Sequence, residues 1–479
     1  MALIKFTRQA VFLVFAMMIV SGGPAFAQKG PKDEFQFPEL NPIRIPDIEE
    51  VTLKNGLRLF LVEDHNYPTI SIRGRVYSGS IYEPPDKIGL ASITGTVLRT
   101  GGTEQMTGDE IDKELETMAA SIETDIGLNS GGISASMLKE DVDRCLALMA
   151  DILMNPIFSE DKIELAKVNA RTEISRRNDR VWQITPREFN KLIYGSKHPY
   201  ARHTEYATVE AITREDIVDF YRSYFHPNNM MIAVWGDFET NEMVEKIEKV
   251  LKDWPSKPVK LPPKPEVSDR GRYTVNYIDT PDLTQTNIMP GHLGGLMNNP
   301  DYPALTVMNA ILSVDRMWKR IRTDEGLAYS VWGYFGANYD YPGVFSAGAQ
   351  TKSASTVYAI ELILEEMKRI TEEAVTDEEL KKAKDYYLNS FVFEFDSQAK
   401  IINRMFTYTY FGYPVDFAEK LIEQVEKVSK ADVLRAAKKY LRPDRVRILA
   451  VGNQNEFEKP LSSLGNVNVI DITIPSPGE

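Results

Sequence analysis

Two stretches of this chain read as copies of one another, 216 residues apart. Residues 212–236 are ITREDIVDFYRSYFHPNNMMIAVWG and residues 428–452 are VSKADVLRAAKKYLRPDRVRILAVG. Aligned without a gap, Asp216 falls on Asp432, Tyr224 on Tyr440, Pro227 on Pro443, Ile232 on Ile448 and Gly236 on Gly452. Each copy predicts the same local structure. A hydroxyl residue, Thr213 or Ser429, caps a helix whose apolar stripe closes on a tyrosine; proline ends it, and an apolar strand runs on to a glycine turn. A second pair, FSEDKIELAK at 158–167 and VTDEELKKAK at 375–384, repeats at an offset of 217. There Ser159 and Thr376 stand as N-caps ahead of first-turn acids, which suit the helix dipole. Two matches at nearly one offset make the chain a duplicated unit of roughly 200 residues, and its 479 residues suit two such domains.

The Pro/Lys-rich stretch WPSKPVKLPPKPEVSD at 254–269 reads as a stiff, extended linker between an N-terminal repeat, 28–253, and a C-terminal repeat, 270–479. In the first repeat GLRLFLVED and TISIRGRVY alternate like half-buried strands, and helical patterns begin at Thr107, near Lys139 and at Ser159. Runs of strands followed by helices predict an α+β fold in which each repeat is a largely antiparallel sheet with helices on one face. Strands separated by long helical segments also suit a parallel α/β sheet, but no phosphate-binding glycine pattern supports one. GHLGG at 291–295 lacks the required context and reads as a turn.

Lys5 and Arg8, an apolar run from Ala10 to Val20, helix-breaking Gly22-Gly23-Pro24 and then Ala25-Phe26-Ala27 describe a cleavable secretory signal over residues 1–27. The run is short for a membrane span, and an uncleaved anchor is the alternative. This predicts a periplasmic or secreted protein, free of the membrane after cleavage near Ala27. The net charge of −13 argues against a nucleic-acid partner. Cys145, the only cysteine, lies in the apolar-periodic VDRCLALMADIL and reads as a buried, inert thiol. None of the five histidines is paired at i, i+4, the spacing that puts two imidazoles on one helix face.

LKNGLRLFLVEDHNYPTISIRGRVYSGSIYEP, KIGLAS at 87–92, RTGGT at 99–103 and HPYAR at 198–202 together resemble the N-terminal half of the pitrilysin/insulinase zinc peptidases, above all the processing-peptidase-like branch. QTNIMPGHLG, NPDYPALTVMNAILS and RMWKRIRTDEGLAYSVWGYF resemble that family's C-terminal half, so the resemblance runs from about Val51 to Val451. It implies two homologous repeats forming half of a clam-like chamber. The family's inverted zinc motif, H-x-x-E-H, places two His one helical turn apart on zinc, with Glu as the base for the metal-bound water. Here the motif falls on Ser92-Ile93-Thr94-Gly95-Thr96. Ser92 and Thr96 replace the imidazoles and Gly95 the base; neutral hydroxyls are poor zinc ligands, and glycine cannot move a proton. The distal glutamate ligand falls on Glu173, 77 positions beyond Thr96. It is a vestigial ligand or a partner for Arg171, Arg176 or Arg177, since one carboxylate does not hold zinc alone.

In the C-terminal half the resemblance assigns Arg322 and Tyr329 to a peptide held at the zinc of the other half. Guanidinium and phenol can donate to its carbonyl and stabilise negative charge developing there. The plainer reading makes Arg322 a helix-end cation and Tyr329 a half-buried strand residue. The usual Ser-Arg-Leu ahead of this helix reads Asp315-Arg316-Met317. A lost zinc site beside a kept Arg/Tyr pair implies a non-catalytic subunit of a heterodimeric zinc metallopeptidase. Such a chain binds no metal itself, its zinc being expected in a homologous secreted partner with intact H-x-x-E-H, and it is inactive alone. The alternative is a catalytically inactive binding or scaffold protein of the same fold.

Overall fold

Apolar strands and amphipathic helices alternate along the chain, and the computed structural model, which describes residues 46–269 and 271–476, resolves them into two sheets. The first contains β1 (Glu49–Thr52), β2 (Arg58–Glu63), β3 (Thr69–Val76), β4 (Ser121–Ile126), β5 (Gly131–Leu138) and β6 (Met230–Gly236), in the order β1-β2-β6-β3-β5-β4. The second half contributes β7 (Thr274–Asp279), β8 (Gln285–Leu293), β9 (Gly295–Leu296), β10 (Ala328–Phe335), β11 (Ala337–Asn338), β12 (Val344–Lys352), β13 (Arg447–Gly452) and β14 (Val467–Val469). Six of these form a sheet in the order β10-β12-β8-β13-β7-β14, while β9 and β11 pair separately. Read from opposite ends, the two sheets share one five-strand topology, with β2, β6, β3, β5 and β4 corresponding to β7, β13, β8, β12 and β10. Both are largely antiparallel, the exceptions being β2–β6, β13–β7 and β14–β7.

The duplication holds residue by residue. Helix Arg214–Tyr224 and strand β6 recur as helix Lys430–Tyr440 and strand β13, and Thr213 and Ser429 both close capping boxes with an aspartate three residues on. Helix Glu160–Arg176 recurs as Asp377–Phe391, but only Thr376 caps with its side chain; the Ser159 hydroxyl makes no cap bond. A third pair not evident from the sequence, Val181–Tyr194 and Gln398–Phe411, keeps the 217-residue offset.

That third pair joins the halves. Phe406 and Tyr410 of helix Gln398–Phe411 pack on Phe60 and Val62 of β2 and on Met231 and Ala233 of β6. Reciprocally, Ile184, Phe189 and Ile193 of helix Val181–Tyr194 pack on Ile278, Leu449 and Val451 of the second sheet. Strand β2 is therefore covered on both faces rather than one, because Leu59 and Leu61 turn into the first half's own core while Phe60 and Val62 turn to the other half's helix. GHLGG is not a turn: Gly291 lies inside β8, where a Cβ would stand 2.1 Å from the Phe345 carbonyl oxygen, so glycine serves a close strand approach. Residues 255–269 form neither helix nor strand, and Trp254 belongs to the first core. The proposed signal over residues 1–27 lies outside the described residues. Among those described, no helix is long and apolar enough to cross a membrane.

Candidate functional site

Helix Leu90–Thr100 carries the positions of the zinc motif. It starts at Gly89, whose φ of 109° is open to glycine, and its first amides are held from outside: the buried Glu83 carboxyl accepts from the Gly89 and Ala91 N–H groups at 3.2 and 2.6 Å. Burial raises the pKa of Glu83 to about 7. Arg202, the last residue of HPYAR, lies 3.9 Å from the same carboxyl and donates to the carbonyls of Ser80 and Glu83. The family-like strings thus keep their structural task of positioning this helix.

Its chemistry is gone. Ser92 and Thr96 lie exposed one turn apart, and the Thr96 hydroxyl is occupied by the Ser92 carbonyl at 3.1 Å. Gly95 is buried against β4, whose Thr124 hydroxyl donates to the Gly95 carbonyl at 2.6 Å. A Cβ at Gly95 would stand 2.4 Å from the Ile126 amide nitrogen and 2.8 Å from the Asp125 carbonyl carbon. The helix has closed onto backbone where the family needs a carboxylate.

Glu173, on helix Glu160–Arg176, is brought to the same place: it and Ser92 line one cavity of about 180 Å³ with Arg177, Arg187 and His203. None of the three arginines considered as its partner pairs with it. Arg171 binds Glu210 at 2.5 Å, Arg176 binds Asp179 at 3.2 Å and Arg177 binds Glu205 at 2.8 Å. His203 sits 3.1 Å from Glu205, its pKa lowered to about 4 by burial and by the neighbouring Lys191 and Arg177 cations. Two hydroxyls, one carboxylate and a glycine do not fit zinc, and among the described residues no cluster of three His, Cys, Asp or Glu could hold a metal.

Arg322 and Tyr329 do come together. Helix Tyr302–Ala310 continues as a wider π-helical run, Ile311–Asp324, which presents Arg322 in its last turn. Gly326, at φ 64°, reverses the chain into β10, where the register against β12 slips between Ala328 and Ser330 and makes Tyr329 the extra residue of a β-bulge. Both irregularities aim side chains that regular structure would place elsewhere; π-helical turns and bulges recur at functional sites for this reason. The Arg322 guanidinium carbon lies 5.1 Å from the Tyr329 ring centroid and 4.1 Å from that of Trp318, one turn earlier on the same run. Tyr329 is 79 % exposed, so it is not a half-buried strand residue. Trp318 was the residue missed by sequence reasoning, although an aromatic four residues before an arginine on a helix is a readable cation–π spacing.

Of the segment Asp315-Arg316-Met317, the arginine that is kept has a clear structural task, while nothing in the structure explains Asp315. Buried Arg316 bonds both carboxylate oxygens of Glu379, at 2.7 and 3.2 Å, and so locks the π-helical run to helix Asp377–Phe391; Met317 is fully buried in the second core.

The sequence profile of the insulinase family (peptidase family M16) matches residues 58–206, and that of the peptidase M16 inactive domain matches residues 211–387; together they span more than half of the chain. A non-peptidase homolog, YmxG, of Helicobacter pylori is 23% identical over 425 residues, covering 87% of this chain and 94% of that one. A probable mitochondrial-processing peptidase subunit beta of Arabidopsis thaliana is 24% identical over 438 residues, 85% of this chain and 78% of that one. The solved peptidase M16 inactive domain from Pseudomonas fluorescens superposes with a TM-score of 0.77 at 22% identity, covering 86% of this chain and 99% of that one. The periplasmic protease PqqL of Escherichia coli gives 0.71 at 13% identity, with 92% of this chain matching 50% of that one. The chain belongs to the insulinase (pitrilysin, M16) family and lacks that family's zinc-binding motif.

Proposed function

We propose that this protein is the non-catalytic half of a periplasmic two-subunit zinc peptidase, and that Arg322 and Tyr329 contact the peptide held at the zinc of a homologous partner. The observation that carries this reading is their juxtaposition: a guanidinium within 5.1 Å of a tyrosine ring that is itself 79 % exposed, in a chain whose own motif positions cannot hold metal. Fixed on either side by Trp318 and Tyr329, the guanidinium is preorganised rather than free to swing, which lowers the cost of using it on a carbonyl. The pair binds and orients the peptide; zinc and the activated water come from the partner. The relatives support this assignment by name, one as a non-peptidase homolog and another as one subunit of a processing peptidase.

The test is reconstitution. The purified protein alone cleaves no peptide, and mixing it with a secreted homologue that carries H-x-x-E-H raises that homologue's peptidase turnover. Stable association without any change in turnover supports the second reading, a peptidase-fold binding or scaffold protein, which the non-peptidase name of the Helicobacter relative also favours.

A further inference from the structure

Beyond β14 the chain reads Ile470-Asp471-Ile472-Thr473-Ile474, in which isoleucine alternates with polar residues. In an extended segment alternation turns every second side chain the same way. Ile470, Ile472 and Ile474 are accordingly half-buried, while Asp471 and Thr473 are exposed. The inward side chains touch three cores in succession. Val467 of β14 packs on the second core, Ile470 and Ile472 on the cluster between the halves, and Ile474 on the first core. Residues 470–474 therefore cross from one repeat to the other past helix Val181–Tyr194.

Hydrogen bonds anchor this crossing on both repeats. On the second, the Ile470 N–H donates to the Tyr277 carbonyl of β7 at 2.8 Å. On the first, the Asn178 side-chain amide donates to the Ile472 carbonyl at 2.6 Å. Between them the Asp471 carboxylate accepts from the Thr473 N–H and hydroxyl at 2.8 and 2.6 Å, a local turn on the solvent side. Asn178 stands in the turn between helix Glu160–Arg176, which carries Glu173, and helix Val181–Tyr194. Its side-chain oxygen accepts from Arg187 at 2.7 Å, and Arg187 also donates to the Arg177 carbonyl at 2.7 Å and to buried Glu188 at 2.6 Å. Arg177 and Arg187 line the cavity that Ser92 and Glu173 share. One amide group thus joins a segment anchored in the second sheet to a cavity wall in the first repeat.

We infer that residues 470–474 are a strap that clamps the two repeats together and, through Asn178, positions Arg187 in the wall of the vestigial cavity. The inference goes beyond the proposed function and needs neither a partner nor a metal. Asn178 is the positioning residue: its amide holds the strap and its oxygen holds Arg187. Releasing the strap uncovers the rim of the cluster built from Ile184, Phe189, Leu449 and Val451, and it loosens the turn that carries Asn178. The reciprocal helix Gln398–Phe411 belongs to a different cluster, against β2 and β6, and stays closed. Because the two ends of one link are coupled, loosening the turn also loosens the strap.

The experiment is amide hydrogen exchange of the full chain, read by mass spectrometry, in two variants made separately. In the first, Ile470→Ser with Ile472→Ser, exchange of residues 177–194 is expected to rise about tenfold or more, while helix Gln398–Phe411 changes less than about threefold. In the second, Asn178→Ala, exchange of the Ile470 and Thr473 amides rises by about tenfold, with the same reference helix unmoved. Val469→Ser, at an outward position 71 % exposed, changes neither region. No rise over residues 177–194 in the first variant overturns the inference, as does no rise at the strap in the second. An equal rise in helices Val181–Tyr194 and Gln398–Phe411 also overturns it, because that reports general destabilisation and not a strap. Should the doubly substituted chain fail to fold, Asn178→Ala decides the matter alone, since it removes two hydrogen bonds and no apolar side chain.

Discussion

Gly95 lies so close to Ile126 that a Cβ on the glycine would come within 2.4 Å of the isoleucine's amide nitrogen. The position that holds the general base in the family's motif has become a helix–strand contact. Gly95→Glu therefore has to displace β4, and we expect it to cost at least about 2 kcal/mol of stability, read as a lower urea midpoint. Ser92→His and Thr96→His, at exposed positions, leave that midpoint within about 0.5 kcal/mol of the parent. Restoring all three residues does not seat the general base without moving the strand, so the triple variant carries the same stability cost as Gly95→Glu alone. A triple variant as stable as the parent contradicts this account.

Glu83 gives the motif helix a pH signature. Its pKa is raised by burial from an ordinary 4.5 to about 7. In that window the folded protein holds a proton that the unfolded chain has released, so this contribution is fully present below about pH 4.5 and lost as the pH rises through about 7. Glu83→Gln removes the dependence. The stability of the parent relative to the variant is expected to fall by on the order of 3 kcal/mol across the window. His203 and His292, both lowered to about 4 by burial, titrate with the opposite sign in both proteins and cancel in the difference. Urea denaturation of both proteins at several pH values measures it, and parallel stability curves refute it.

The N-terminus offers a simple check. The native protein is expected to begin near Gln28 and to fractionate with the soluble periplasmic contents, because the apolar run Ala10–Val20 is followed by a small-x-small cleavage sequence. N-terminal sequencing that finds Met1 or Ala2 retained in a membrane fraction refutes it.

What could be read from the sequence was what recurs locally. The capped helices Arg214–Tyr224 and Lys430–Tyr440 were visible because their hydroxyl caps, closing tyrosines and following prolines act within a few residues. The inter-half packing of Val181–Tyr194 and Gln398–Phe411 was not: the contacts of Phe189 with Leu449 and of Phe406 with Phe60 join residues far apart in the chain. GHLGG was misread because glycine in a tight strand crossing and glycine in a turn leave the same letter. At the site, loss of imidazoles at Ser92 and Thr96 was legible once the family resemblance laid the zinc motif on those positions, whereas the burial of Gly95 against β4 is a tertiary fact. Arg322 and Tyr329 were found through the resemblance of RMWKRIRTDEGLAYSVWGYF to the family's C-terminal half. The π-helical run and the bulge that bring them together have no periodic signature; Trp318, four residues before Arg322, could have been joined to the guanidinium by its spacing but not to Tyr329.

The most direct measurement is the turnover of the reconstituted complex with Arg322→Ala and Tyr329→Phe. If these donors act on the peptide carbonyl at a partner's zinc, each variant assembles normally, keeps a parent-like melting temperature and lowers kcat by about 10²–10³, equivalent to roughly 2–4 kcal/mol of transition-state stabilisation. Tyr329→Phe is the sharper of the two, since it keeps the ring that packs on Arg322 at 5.1 Å and deletes only the phenol. Parent-like turnover in both variants, with the complex intact, contradicts the split-site account.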